Sequence, residues 1–377
     1  MHVVILMSDT GGGHRSLSRA IAAGLERRLG AGVRSTIVDP FDAAPARLPS
    51  AILGLYGPII QRIPAIYGWI YDALDAPGRF AAIGRRLGQP VVAQLRQLLT
   101  RERPDAIVCA HALTTTLALD ALDDVGGEPV PLAAMVTELA TVHWSWIDHR
   151  VSRYFAATDE VVGALRAHGV PPSRVQLTGL PVGHQFGAIA ESPEETRRRL
   201  RLIANRTTAL VLAGGEGSGR LAELVPRLAA ALPDLQLVVV CGRNERLRRG
   251  LSGYGLPPAV RVLGFVENMP ELMHAADFVL TKGGPQTIAE TLAAGRPVVV
   301  TELLPGQERG NGAYVVRRGA GYLALTLPDV LAASRRLASD EAERRRLAAA
   351  ARQLGPRGAA TNVADALRVL TAEPAPV

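Results

Sequence analysis

Thr281-Lys282-Gly283-Gly284-Pro285-Gln286-Thr287-Ile288-Ala289-Glu290, followed by Leu304-Pro305-Gly306-Gln307-Glu308-Arg309-Gly310-Asn311, decides the fold. The first stretch leaves an apolar run, Asp277-Phe278-Val279-Leu280, and opens a helix. The second leaves Pro297-Val298-Val299-Val300. Apolar strands that end in glycine-containing turns before helices are units of an open parallel sheet, and ligands bind at the carboxyl ends of its strands. A helix that begins at such an edge attracts anions through its unpaired N–H groups. Glu290 lies inside that helix, within reach of a sugar hydroxyl. Gln307, Glu308 and Asn311 add polar groups nearby. Lys282 is the only lysine among the 42 lysines and arginines, and it stands in the glycine-rich loop.

The same plan of strand, turn and helix runs outward in both directions. Apolar runs predict strands at 2–8, 33–38, 105–110, 131–137, 153–157 and 175–178 in the first half. In the second half they fall at 208–213, 235–241, 260–266, 277–281, 297–301 and 321–324. Amphipathic spacing predicts helices between them, with a last one at 359–371. Alternation of this kind means an α/β protein with parallel sheets and right-handed crossovers. Gly179-Leu180-Pro181-Val182-Gly183 punctuates the pattern and marks the boundary of two domains, 1–182 and 183–355. The arginine clusters 197–199 and 344–346 read as solvated helix faces.

A chain of 377 residues with 48% hydrophobic content has enough material for two cores. The net charge of +7 favours an acidic partner such as nucleotide phosphate or anionic lipid. No zinc spacing, RNP-like strand or long basic run is present, so a nucleic-acid partner is not expected. Cys109 and Cys241 each end an apolar run and read as reduced core residues of a cytosolic protein. The N-terminal strand is too short and wrongly flanked for a signal peptide. No run of 18 apolar residues predicts a membrane span.

Strand 2–7 enters Ser8-Asp9-Thr10-Gly11-Gly12-Gly13-His14. The glycines let backbone approach a ligand, yet the spacing is neither that of a Walker loop nor G-x-G-x-x-G. A histidine at a helix N-terminus stays neutral, because the dipole disfavours the imidazolium there. His14 is therefore a general base for an alcohol, or a plain helix cap. Gly214-Gly215-Glu216-Gly217-Ser218-Gly219, the first strand-to-helix turn of the second half, offers amides and a hydroxyl to phosphate. Phe265 and Val266 end another strand. Phe265 either flanks a base or fills the core. The insertion 49–80 holds Tyr67, Trp69 and Tyr71 among many apolar residues, with arginines following at 79, 85, 86 and 96. Aromatics beside arginines suit an anionic membrane surface; the alternative is a helical subdomain packed on the first sheet.

Together, residues 8–14, Gly214-Gly215-Glu216-Gly217, Cys241-Gly242-Arg243-Asn244, Thr281 through Glu290, and Gly306 through Asn311 resemble the monogalactosyldiacylglycerol synthases. These are relatives of the processive diacylglycerol glucosyltransferases and, more distantly, of MurG. The resemblance implies the GT-B fold, two Rossmann-like parallel-sheet domains facing a cleft. It also implies inversion at the anomeric carbon with no metal and no cofactor beyond the UDP-sugar. It makes the first domain the acceptor and membrane side, with the 359–371 helix packing back onto it, and the second the donor side.

On that resemblance His14 is the catalytic base. Gly12, Gly13, Glu138, His143 and Trp146 line the acceptor side, with His143 a weaker candidate base. The donor side comprises Gly215, Gly217 and Ser218 near phosphate, Phe265 and Val266 near uracil, Glu290 on the ribose, and Gln307 and Glu308 on the sugar. Arg243, Lys282, Gly284, Pro285, Thr287 and Asn311 complete it. Glu138 stands where relatives usually have aspartate, Ala112 where they have proline, and Gly183-His184 where they often have arginine. The expected activity is transfer of galactose or glucose from UDP to diacylglycerol, giving a β-linked lipid, by an enzyme peripheral on the inner face of the cell membrane. The alternatives are a MurG-like lipid-linked acceptor or a non-catalytic nucleotide-sugar sensor.

Overall fold

In a computed structural model of the chain, residues 1–8, 12–42, 64–125, 129–214 and 220–372 are described. The uninterrupted apolar runs have no polar face to show to water, so they need helices on both sides, which parallel sheets provide. Strands β1 (His2–Leu6), β2 (Arg34–Val38), β3 (Ala106–Cys109), β4 (Leu132–Met135), β5 (Arg153–Ala156) and β6 (Val175–Leu177) form one sheet, in the order β2-β1-β3-β4-β5-β6. Strands β7 (Thr208–Leu212), β8 (Gln236–Val240), β9 (Val260–Leu263), β10 (Phe278–Lys282), β11 (Val298–Glu302) and β12 (Gly321–Leu323) form the other, in the order β12-β11-β10-β7-β8-β9. Every pairing is parallel. All of these strands fall within one to three residues of the apolar runs.

The strand orders place the ligand edges. The direction in which the chain steps across the sheet reverses between β1 and β3 in the first sheet and between β7 and β10 in the second. At such a switch point adjacent loops run apart and leave a crevice at the strands' carboxyl ends. The loops after β1 and β3 carry His14 and His111. Those after β7 and β10 carry Gly214 and the 283–287 turn.

The last helix, Ala359–Ala372, returns to the first half and lies along the helix Gly12–Leu29. A Cβ on Gly24 would sit 2.6 Å from Ala360 Cβ, so this crossing needs glycine. Arg28 Nε donates to Asp365 Oδ1 at 2.9 Å beside it.

Several elements differ from the sequence reading. The described part of the insertion forms the helices Pro64–Leu74 and Arg79–Leu87, followed by Gln89–Glu102; residues 49–63 lie outside the described residues. The helix Leu327–Ser339 was not expected, and Glu341–Leu354 was expected only as a helix face around 344–346. Their pattern is dominated by alanine and arginine, which dilutes the apolar period. Arg197 is no solvated residue. It is buried, and its guanidinium donates to Ala275 O at 2.7 Å, Ala204 O at 2.9 Å and Asp277 Oδ2 at 2.9 Å. Both cysteines are free and buried, and burial pushes their thiols up to about 12 for Cys109 and about 11 for Cys241. Among the described residues no helix is long and apolar enough to cross a membrane.

Candidate functional site

The two switch points face each other across a cleft of about 560 Å³. Gly12, Gly13 and Ser16 line it from the first domain; Gly214, Arg243, Phe265, Val266, Thr287 and Glu290 line it from the second. The helix termini approach closely: a Cβ on Gly13 would lie 3.2 Å from Gln286 Cβ.

His14 stands in the first turn of the helix Gly12–Leu29, and its Nδ1–H donates to the carbonyl of Ala110 at 2.9 Å. A carbonyl only accepts, so this bond fixes the tautomer and leaves Nε2 as the basic nitrogen. The backbone at the end of β3 therefore helps orient the His14 ring. His111 lies edge-on to His14, ring centroids 4.6 Å apart. Its Nδ1 accepts from Leu113 N at 3.2 Å and caps the helix Ala112–Val125. Burial, and then the charge His14 can carry, hold the His111 pKa well below its ordinary value. Ala112 occupies the first helical position, where proline is also favoured, so this departure leaves the local geometry intact.

On the donor side, extended Gly284 precedes Pro285 at the first position of the helix Pro285–Ala293. This start presents the next amides to the cleft. Lys282 runs beneath the β7 turn: a Cβ on Gly214 (φ +74°) would lie 3.4 Å from Lys282 Cε. Its Nζ is 3.8 Å from Glu308 Oε1. Glu290 is buried, which raises its carboxyl above the usual range; Ser16 Oγ donates to its Oε1 at 2.6 Å, and Gln286 Nε2 at 3.2 Å. Phe265 is 60% exposed, with the Arg243 guanidinium 5.2 Å from its ring centroid. It is therefore no core residue, whereas Val266 is partly buried against the core. Gly215, Gly217 and Ser218 lie outside the described residues.

Glu138 crosses between the domains. It is buried, and its two oxygens accept from Gln307 Nε2 and Asn311 Nδ2, both at 3.1 Å. Asn311 also donates to Gly283 O at 3.0 Å and accepts from Leu139 N at 3.0 Å. Burial pushes the Glu138 carboxyl up to about 7, against the Gln307 and Asn311 amides, with the Glu308 carboxylate adding to the rise. A carboxyl whose pKa is raised on folding lowers stability as pH climbs from its unfolded value toward 7. Glu138→Gln is therefore expected to raise the melting temperature relative to the native chain at pH 8 and to lose that gain at pH 5. Equal differences at both pH values would show that Glu138 is not the titrating group.

Other expected site residues are placed differently. His143 is buried with both nitrogens committed: Nε2–H donates to Tyr71 O at 3.0 Å, and Nδ1 accepts from Ser145 N at 2.9 Å and Ser145 Oγ at 2.8 Å. That geometry suits a structural cap and leaves no nitrogen for a base. Trp146 is buried in the core of the first sheet rather than at the cleft. Tyr67 and Tyr71 turn inward instead of facing solvent. Tyr67 donates to Gln307 Oε1 at 2.9 Å, and the Tyr71 ring lies 4.2 Å from that of His143. Trp69, on the opposite face, is 72% exposed. His184 is exposed, beside Gln185 on the cleft wall.

The sequence reading missed Ser16, Arg15 and Arg19 on the cleft wall. Their signal was present: Gly12, Ser16, Arg19 and Ala23 recur at helical spacing from the glycine turn and share one face.

Residues 14–182 match the family model "Monogalactosyldiacylglycerol (MGDG) synthase", and residues 208–329 match "Glycosyltransferase family 28 C-terminal domain". A probable monogalactosyldiacylglycerol synthase of Glycine max is 31% identical over 344 residues, covering 87% of this chain and 63% of its own length. The chain thus spans less than two thirds of that relative. A probable monogalactosyldiacylglycerol synthase 2 of Oryza sativa subsp. indica is 31% identical over 339 residues, covering 86% of this chain and 70% of its own. Among solved structures, MurG of Acinetobacter baumannii superimposes with a TM-score of 0.61 at 15% identity, covering 98% of this chain and 99% of its own. A UDP-GlcNAc 2-epimerase of Neisseria meningitidis bound to UDP-GlcNAc gives 0.67 at 16%, covering 98% and 100%. The fold is thus the GT-B arrangement of two Rossmann-like halves about a cleft. With both halves matched in order, and the rice relative covered over more than two thirds of its length, the chain belongs to the monogalactosyldiacylglycerol synthase family.

Proposed function

We propose that the protein transfers a hexose from a UDP-sugar to the free hydroxyl of diacylglycerol, with inversion, to form a β-linked monoglycosyl lipid. The observation that carries this reading is the His14 imidazole, held through Nδ1 in the first turn of the helix whose Gly12, Gly13 and Ser16 line one cleft opposite a helix N-terminus and the buried carboxyl of Glu290. Glu290 takes the ribose hydroxyls in place of Ser16. Phe265 and Val266 flank the uracil. His14 Nε2 removes the acceptor hydroxyl proton as that oxygen bonds to the anomeric carbon. The bond from that carbon to the UDP oxygen breaks on the opposite face. Amides of the Pro285 helix and the Lys282 ammonium meet the charge on departing UDP; dipoles fixed in advance are usually the larger catalytic term. No cofactor is assigned to the step.

The similar Thr281–Thr287 stretch favours galactose over glucose. Radiolabelled UDP-galactose and UDP-glucose, each incubated with diacylglycerol vesicles, test the reading. Labelled glycolipid is expected, most from UDP-galactose; no lipid-soluble label from either donor would overturn the assignment.

The acceptor also places the protein on a membrane surface, here proposed as the inner face of the cell membrane. Diacylglycerol leaves a bilayer only at about 0.8 kcal/mol per exposed methylene, so the protein must come to the lipid. Ile66, Trp69 and Ile70 are exposed on the Pro64 helix, and Ile83 and Leu87 on the next, beside Arg79 and Arg86. Each such arginine adds about 1 kcal/mol near an anionic surface. Trp69→Ala with Ile70→Ala is expected to abolish sedimentation with anionic vesicles while UDP binding persists. Native-like sedimentation of that variant would move the membrane contact elsewhere.

A further inference from the structure

Gln307, on the donor-side loop, is gripped at both ends of its amide by the acceptor domain. Its Nε2–H donates to Glu138 Oε1 at 3.1 Å, and its Oε1 accepts from the Tyr67 hydroxyl at 2.9 Å. We propose that Tyr67 and Glu138 are positioning residues that fix the Gln307 amide for reading one hydroxyl of the donor hexose, so that side chains of one domain set the sugar choice of the other. The inference rests on the reading that Gln307 faces the donor sugar.

An amide can be turned end for end at little cost in shape, exchanging donor for acceptor. A tyrosine hydroxyl donates or accepts and cannot choose between the two orientations. Both Glu138 oxygens accept from amide N–H groups, so above pH 7, where the carboxylate only accepts, Glu138 turns the Gln307 nitrogen toward itself and the oxygen toward Tyr67. Glu138 is itself fixed, because its other oxygen accepts from Asn311, whose own oxygen accepts from Leu139 N. One N–H and one lone pair of Gln307 are thereby used. The other N–H and the other lone pair point in set directions, a pair suited to a single hydroxyl that both accepts and donates.

Galactose and glucose differ only in the direction of the C4 hydroxyl. A mobile amide would serve both. A fixed one leaves its remaining N–H or lone pair unpaired against the wrong epimer, and unpaired groups are what make such discrimination strong.

The backbone supports the same reading. A Cβ on Gly68 would lie 2.7 Å from Pro305 Cβ, and one on Gly306 would lie 2.7 Å from Tyr71 Cδ1. Gly306 also has φ +81°, which favours glycine. The Pro64 helix is therefore pressed against the loop that carries Gln307, and Arg309 Nη2 donates to Asp72 Oδ2 at 3.1 Å further along the same interface.

The test compares the native protein with Tyr67→Phe and, separately, Glu138→Gln. It measures kcat/KM for UDP-galactose and UDP-glucose on diacylglycerol vesicles, and the affinity for UDP by calorimetry. Tyr67→Phe keeps the ring and removes the hydroxyl. It is expected to reduce the ratio of the two kcat/KM values about three- to tenfold, the scale of one hydrogen bond, chiefly through KM. Glu138→Gln should reduce the ratio likewise, since an amide at 138 no longer demands a donor. UDP affinity should not change in either, because UDP lacks the sugar. A native ratio in both variants overturns the inference and leaves the proposed function standing, as does a native protein that uses both donors equally. A native protein inactive with both donors overturns the two together.

Discussion

Replacing His14 by alanine is expected to lower turnover about a hundredfold or more, the scale of a lost general base, while affinity for UDP stays within about twofold, a difference under about 0.5 kcal/mol. The split follows from position. His14 belongs to the first domain and is held by the Ala110 carbonyl, whereas the donor groups stand on the second. His14→Gln retains a side chain of similar reach without an imidazole base and should be equally slow. Turnover near the native value in either variant would remove His14 from the mechanism and leave it a helix cap.

Glu290→Ala should weaken UDP binding by about 1.5–3 kcal/mol, the value of a hydrogen bond to a charged group, or roughly ten- to 150-fold. Within the cleft this carboxylate accepts from Ser16 and Gln286, and burial raises its pKa, so it is costly to keep without partners. Ribose hydroxyls entering the cleft would take the place of Ser16 and relieve that cost. Calorimetry is the direct measurement; unchanged affinity for UDP would count against the donor role of the whole 281–290 stretch.

The strands were legible because parallel strands buried on both faces read as short apolar runs, and the turns after them carry glycine. Thr281–Glu290 shows this most plainly, since strand, Gly284, Pro285 and helix follow in order. The strand order that creates the switch points was not legible, and neither were the ends of long-range contacts. Ser16 meets Glu290 and Tyr67 meets Gln307 through closure of two domains, and no local period in the chain records that approach. Tyr67 and Trp69 lie two residues apart in an apolar stretch and read alike. Helical geometry sends them to different faces, one onto the donor loop and one into solvent. His143 was a weaker candidate base on the family resemblance alone, and the bonds to Tyr71 and Ser145 that commit it are visible only in three dimensions. Arg197 misled for the reverse reason. A run of arginines is usually solvated, yet this one finds two carbonyls and Asp277 inside the protein.

The central claim is that His14 and the donor groups act on one anomeric carbon from opposite domains. It is tested most directly by the configuration of the product, read from the anomeric proton coupling of glycolipid made from a UDP-α-hexose and diacylglycerol. A β-linked monoglycosyl diacylglycerol, absent when His14→Ala replaces the native protein, is the predicted result. An α-linked product, or β-linked product formed at the native rate without His14, would contradict it.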